Sequence, residues 1–158
     1  KLKTRLNKNG IDLNRNFLSG ASDEESVANM EFHGKYKFNL CVDFHEDPEL
    51  ADFYMYDSGK LPDRILLEVQ KAITSASIEL FNGVDDPNDP ALGFKFENGY
   101  RSFENEDLGE MDGTFWGWFR ANNEGGRIIV IEIPGKLEKE KKEELVEIIF
   151  EKLILHLV

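Results

Sequence analysis

A single cysteine, Cys41, stands in 158 residues, so no intramolecular disulfide can hold this fold. No apolar run approaches the ~20 residues that a membrane-spanning helix needs. Cations are scarce as well, with 19 Lys and Arg against 31 Asp and Glu and a formal net charge of −12. That balance argues against a nucleic-acid partner, whose phosphates need a basic face, and equally against an anionic membrane surface. A charged start followed by an apolar stretch is lacking, so no signal peptide is visible, and a reducing cytoplasmic location is the expectation. No methionine opens the chain, and we expect further sequence upstream of Lys1. What is present is ordinary globular material, 41% hydrophobic and 32% charged, enough to bury a core.

The few cations are unevenly placed. Lys1, Lys3, Arg5, Lys8 and Arg15 crowd the start while acids dominate afterwards, a patch that either draws a small anion or is a solvated basic loop. The same stretch carries Asn7, Asn9, Gly10, Asn14, Asn16 and Gly20 and reads as loop. Ser22 or Asp23 then caps a short helix through Phe32. Residues 37–45 (KFNLCVDFH) form an expected strand ending at His45, and 52–56 (DFYMY) a second, shorter one. Residues 61–81 have the apolar spacing of a helix, with Pro62 in its first turn. From Asn82 to about Gly113 runs a long excursion with Pro87, Pro90 and many acids, and a loop of that length in a compact domain is usually functional. Thr114–Ala121 is an aromatic-rich short helix or turn. Residues 128–133 (IIVIEI) read as a strand covered on both faces, and a helix from Leu137 closes the chain. Alternating strands and helices make the class α/β, with a mixed, largely parallel central sheet and helices on both faces, in one domain over 1–158.

Two ionisable residues stand out against this pattern. Glu132 interrupts an apolar strand just before Pro134 and Gly135 end it. A buried carboxylate there needs a partner and is pushed toward its protonated form, so Glu132 is exposed at a sheet edge, held in a structural ion pair, or an acid/base group. His45 closes the first strand, where ligands of open α/β sheets collect. The period of two puts Asp43, His45 and Asp47 on one side, and the imidazole is a metal ligand, a general base or a satisfied surface group. His33 and His156 have no comparable setting.

The segment Gly10-Ile11-Asp12-Leu13-Asn14-Arg15-Asn16-Phe17 resembles the substrate-binding signature of the zinc carboxypeptidase superfamily, which includes the succinylglutamate desuccinylase and aspartoacylase branch. Val42-Asp43-Phe44-His45 resembles that family's strand ending in its third zinc ligand. Ile131-Glu132-Ile133-Pro134 resembles the strand of its catalytic glutamate. The resemblance implies that Asn14 and Arg15 hold a substrate carboxylate, that His45 binds Zn(2+), and that Glu132 is general base and acid. Arg5 matches an arginine that some branches use on the oxyanion, and Tyr100 lies where a family tyrosine closes over substrate. These residues are then expected to converge on one cleft. The physics agrees, since an arginine fork suits a carboxylate and a partly buried glutamate can carry a proton to a leaving amine.

One departure matters. The family's first two zinc ligands come from a His-x-x-Glu motif before the Asn-Arg pair, and no histidine precedes Asn14. The chain therefore reads as the C-terminal part of such a domain, with its N-terminal strands absent. A lone ligand does not hold catalytic zinc tightly. The leading expectation is a zinc-dependent hydrolase of amide bonds next to a free carboxylate, acting on a peptide C-terminus or a small N-acyl amino acid, with these residues alone inactive. The alternative is a silent carboxylate-binding or protein-interaction domain that has lost its metal. The strand at 128–133 is too apolar for a sheet edge, so we expect it to lack a neighbour here and to offer an edge for homo-oligomerisation.

Overall fold

A computed structural model describes residues 5–85, 93–104 and 113–158. Lys1 and Lys3 of the basic cluster, and residues 86–92 and 105–112 of the long excursion, lie outside the described residues. The chain divides into two compact units. The first comprises Lys1–Cys41 and Asp107–Ile128, the second Val42–Glu106 and Ile129–Val158.

In the first unit, helix α1 (Glu24–Gly34) starts at Asp23, whose side chain accepts from the Glu25 N–H. That carboxylate also takes a bond of 2.7 Å from Asn7 Nδ2, so the cap ties the helix to the preceding loop. Helix α3 (Phe115–Asn122) starts at Thr114, which accepts from the Gly117 N–H. Phe115 is the hinge of the aromatic packing, with ring centroids 5.2 Å from Phe17, 5.1 Å from His33 and 6.0 Å from Phe119. Gly113 cannot carry a side chain. Its φ of +84° is left-handed, and a Cβ would fall 2.5 Å from the Arg15 carbonyl oxygen.

The second unit holds most of a four-stranded sheet of order β1-β6-β2-β5, where β1 is Leu40–Asp47, β2 Tyr54–Asp57, β5 Tyr100–Ser102 and β6 Arg127–Pro134. A two-stranded ribbon pairs β3 (Gly83–Val84) with β4 (Lys95–Phe96). The main sheet is mixed and largely parallel: β2 runs parallel to β5 and antiparallel to β6. Hydrogen bonds from Arg127 N to Asn39 O and from Gly135 N to Asp47 O advance together along β6 and β1, as in a parallel pair.

Ile128, Ile129, Val130 and Ile131 of β6 are essentially inaccessible, and each side chain so buried contributes about 1.5–3 kcal/mol. This strand is not the edge we expected. It has β1 on one side and β2 on the other, and among the described residues the sheet ends instead at β1 and β5. Helices α2 (Asp63–Ser75) and α4 (Lys139–Lys152) pack on each other. They present Ile65, Val69 and Ile73, and Leu145 and Ile149, to the core. The expected helix over 61–81 stops at Ser75, because Ser77 takes φ of 60° and the chain then extends to bridge Leu80 with Phe53. Strand β1 in turn runs two residues past His45. No described helix is long and apolar enough to cross a membrane.

Candidate active site

The central features of the second unit's site come from the ends of β1, β6 and β2. His45 Nε2 lies 3.0 Å from Asp43 Oδ2 on the same strand face, as the period of two requires, and Nδ1 lies 3.3 Å from Glu132 Oε1 on β6. Eighty-seven positions separate these residues in the chain, and strand pairing joins them. The close approach of the two strand ends depends on Gly135, where a Cβ would meet Asp47 O and Pro48 Cα, each at 2.5 Å.

Register extends the group to β2, since Tyr54 stands opposite Glu132. The Tyr54 hydroxyl donates to Asp47 Oδ2 at 2.9 Å, and the Tyr56 hydroxyl donates to Asp85. Two carboxylates thus flank the imidazole, and Asp47 and Asp85 lie beyond them around Glu132 and the tyrosines. Burial opposes a charge on His45, but hydrogen bonds and charge from Asp43 and Glu132 outweigh it and raise the imidazole pKa to about 10. Glu132, with a side chain 12% exposed, is pushed above the usual carboxylate range by burial. His45 relieves this in part, and the charges of Asp47 and Asp85 add to it. Burial raises both tyrosine hydroxyls well above their ordinary range, so they are donors at any ordinary pH.

Sequence reasoning placed His45 and Glu132 but missed Tyr54, Tyr56 and Asp85. The tyrosines had a signal, being two apart on an expected strand and so on one face. Asp85 opens an acid-rich excursion and had none. Tyr100 is on β5, where its hydroxyl donates to the buried Asp57 at 2.6 Å and accepts from the Leu61 N–H at 2.9 Å.

The other candidates belong to the first unit. Asp12 caps the 3₁₀ turn Leu13–Arg15 by accepting from the Asn14 N–H. Asn14 Oδ1 accepts from the Phe115 N–H at 2.8 Å, which fixes the amide against the start of α3. Arg15 is exposed and donates through Nη1 to the Asn14 carbonyl at 2.7 Å. Arg5 Nε is 2.5 Å from Asp12 Oδ2, on a side chain 63% exposed.

No family model and no curated protein matches the chain in sequence. Solved structures do match in three dimensions. A protein from Shewanella amazonensis, provisionally named a metallopeptidase, superposes with a TM-score of 0.70 at 14% identity, over 97% of this chain and 57% of its own. Proteins from Shewanella denitrificans and Shewanella baltica with the same provisional name give TM-scores of 0.66 and 0.68 at 17% and 14% identity. The first is matched over 96% of this chain and 54% of its own, the second over 97% and 57%. What the chain shares with them is the fold. It spans a little over half the length of these structures.

A metallopeptidase-like fold raises the question of a metal, and the donor set answers it in part. A catalytic zinc site takes three protein ligands and leaves one position open. Among the described residues no group of three His, Cys, Asp or Glu could hold a metal ion. His45 is the one histidine at the strand ends, and both its ring nitrogens face carboxylates. One such contact is the usual orienting partner of a metal-bound imidazole; two leave no nitrogen for the metal until one is given up. The residues present therefore do not by themselves make a zinc site.

Proposed function

We propose that this chain is the C-terminal part of the catalytic domain of a zinc-dependent hydrolase that cleaves amide bonds next to a free carboxylate, as a metallocarboxypeptidase-like enzyme or an N-acyl amino acid deacylase, and that these residues alone are inactive. The observation that carries the reading is the meeting of His45 with Glu132 at 3.3 Å, on neighbouring strands and at the positions where the family resemblance puts a ligand and a base.

In this reading His45 supplies one zinc ligand. The other two come from a His-x-x-Glu segment outside these residues, for which a protein as long as the structural neighbours has room. Asn14 and Arg15 grip the substrate carboxylate, the arginine through its planar fork and the amide without added charge. Arg5 takes the oxyanion role that the family resemblance implies for it. Glu132 is suited to general base and then acid because burial raises its pKa above the usual carboxylate range, which makes it a better proton acceptor than a solvated carboxylate. Tyr100 closes over substrate only by releasing Asp57 and the Leu61 N–H. The substrate is a peptide C-terminus or a small N-acyl amino acid. Self-association would use an open sheet edge, which is β1 or β5 rather than β6.

The two-sided engagement of His45 favours a second reading for the chain by itself, a carboxylate-binding domain without metal. Amide hydrolysis and light scattering, measured on these residues with and without their upstream segment, separate the two. Activity and monodispersity that appear only in the longer protein support the hydrolase. A longer protein that binds small carboxylates and hydrolyses none supports the silent domain.

A further inference from the structure

Asp12 belongs to the segment that carries Asn14 and Arg15, yet neither a metal-ligand nor a substrate role falls on it. It is bonded in two directions at once. Oδ1 accepts from the Asn14 backbone N–H at 3.1 Å, and Oδ2 lies 2.5 Å from Arg5 Nε. The backbone brings these partners to it, because Leu6 and Asp12 pair in an antiparallel bridge around the turn at Asn7–Gly10, and Asn7 N donates to Ile11 O at 2.9 Å. Asn7 Oδ1 closes the same turn by accepting from Asn9 N at 2.9 Å and Ile11 N at 3.0 Å.

We propose that Asp12 is the positioning residue that couples Arg5 to the Asn14–Arg15 turn, so that one carboxylate sets both the oxyanion arginine and the carboxylate-gripping pair. This rests on the substrate-binding reading of Arg5, Asn14 and Arg15 given above. The chemistry requires an ionised carboxylate. Both partners of Asp12 are N–H donors, and two acceptor oxygens satisfy both. An asparagine offers one acceptor and one NH₂, so either the Asn14 N–H or the Arg5 Nε–H then meets a donor. The charge matters as well, because it makes the bond from Arg5 a charge-assisted one that restrains an otherwise exposed side chain. Asp12 touches no substrate in this scheme, and acts only through the groups it holds.

The test titrates hippurate into the isotope-labelled 158-residue chain and its D12N, D12A and R15K variants, followed by NMR. We expect D12N to weaken hippurate binding about tenfold, the worth of one lost charge-assisted bond in a well-ordered loop, and D12A to weaken it at least as much. We expect the Arg5 Nε–H signal to be protected from exchange in the wild type and to lose that protection in D12N, while amides of Phe119 and Ile128, core residues of the same unit, keep theirs. In the R15K background the further effect of D12N falls below about twofold, since a positioning residue has nothing left to position. Wild-type affinity in D12N together with an unprotected Arg5 Nε–H overturns the proposal. So does a D12N effect that is undiminished in R15K, or a loss of binding matched by loss of core protection in both Asp12 variants. A wild-type chain that fails to bind hippurate refutes the carboxylate anchor itself, and the role of Asp12 with it; binding that is equal in wild type and D12A refutes the role of Asp12 alone.

Discussion

Replacing His45 by glutamine removes the imidazolium that Asp43 and Glu132 share, and the pH dependence of stability reads its contribution directly. The imidazole pKa is 6.5 in an unfolded chain and is raised to about 10 here. A group whose folded pKa lies above its unfolded value stabilises in full below the unfolded pKa and loses that contribution as pH rises through the folded one. The relevant window is therefore pH 6.5 to about 10. At about 1.36 kcal/mol for each tenfold in proton affinity the ceiling is near 5 kcal/mol. The His45 side chain is 31% exposed and that of Asp43 25%, so solvent screening brings the expected value to about 2 kcal/mol. Urea unfolding followed by circular dichroism, with chelator present, should show wild type more stable than H45Q by about that amount near pH 6, with the two curves converging toward pH 10. Lysines and tyrosines that titrate at the alkaline end are common to both proteins and cancel. A wild-type advantage that is flat from pH 6 to 10, or absent, would refute the shared imidazolium and the geometry from which it follows.

The remaining expectations are more local. R15K keeps the charge but loses the bidentate fork, and should weaken binding of a small carboxylate about tenfold, measured by titration calorimetry; unchanged affinity would make Arg15 a surface cation. Y100F removes the hydroxyl that serves Asp57 and the Leu61 N–H, and should destabilise the second unit by about 1–3 kcal/mol in urea unfolding. If hydrolysis in the longer protein falls by more than that loss of folded protein explains, Tyr100 reaches substrate as well. G113A should destabilise the first unit by about 1–3 kcal/mol or more, since it adds left-handed strain to a clash with the Arg15 carbonyl, and a neutral result would show that this turn relaxes.

Much of this architecture was legible in the residues themselves. The run from Ile128 to Ile133 announces a strand covered on both faces, and Asp23 is an ordinary cap in an ordinary place. His45 and Glu132 were legible because each breaks a pattern, an imidazole closing one strand and a carboxylate interrupting another. Pairing order was not legible. Apolar content showed that β6 must be flanked, but nothing local says that β1 and β2 of the same chain flank it. The end of α2 was hidden for a related reason, since Ile78 is as apolar and as buried as the helix residues before it. Burial there is achieved in an extended segment after the turn at Ser77, and hydrophobic spacing cannot tell the two apart. Asp85 was out of reach altogether, because an acid in an acidic loop acquires meaning only when the fold brings Tyr56 to it.

We propose that His45 serves as a zinc ligand in the whole protein, although in the chain described here it stands between two carboxylates. The most direct measurement is the zinc content of the protein carrying its upstream segment, determined by elemental analysis after dialysis, in wild type and in H45A. We expect about one equivalent in the wild type and a loss of most of it in H45A, because two remaining ligands do not hold catalytic zinc. A full equivalent of zinc retained by H45A would contradict it.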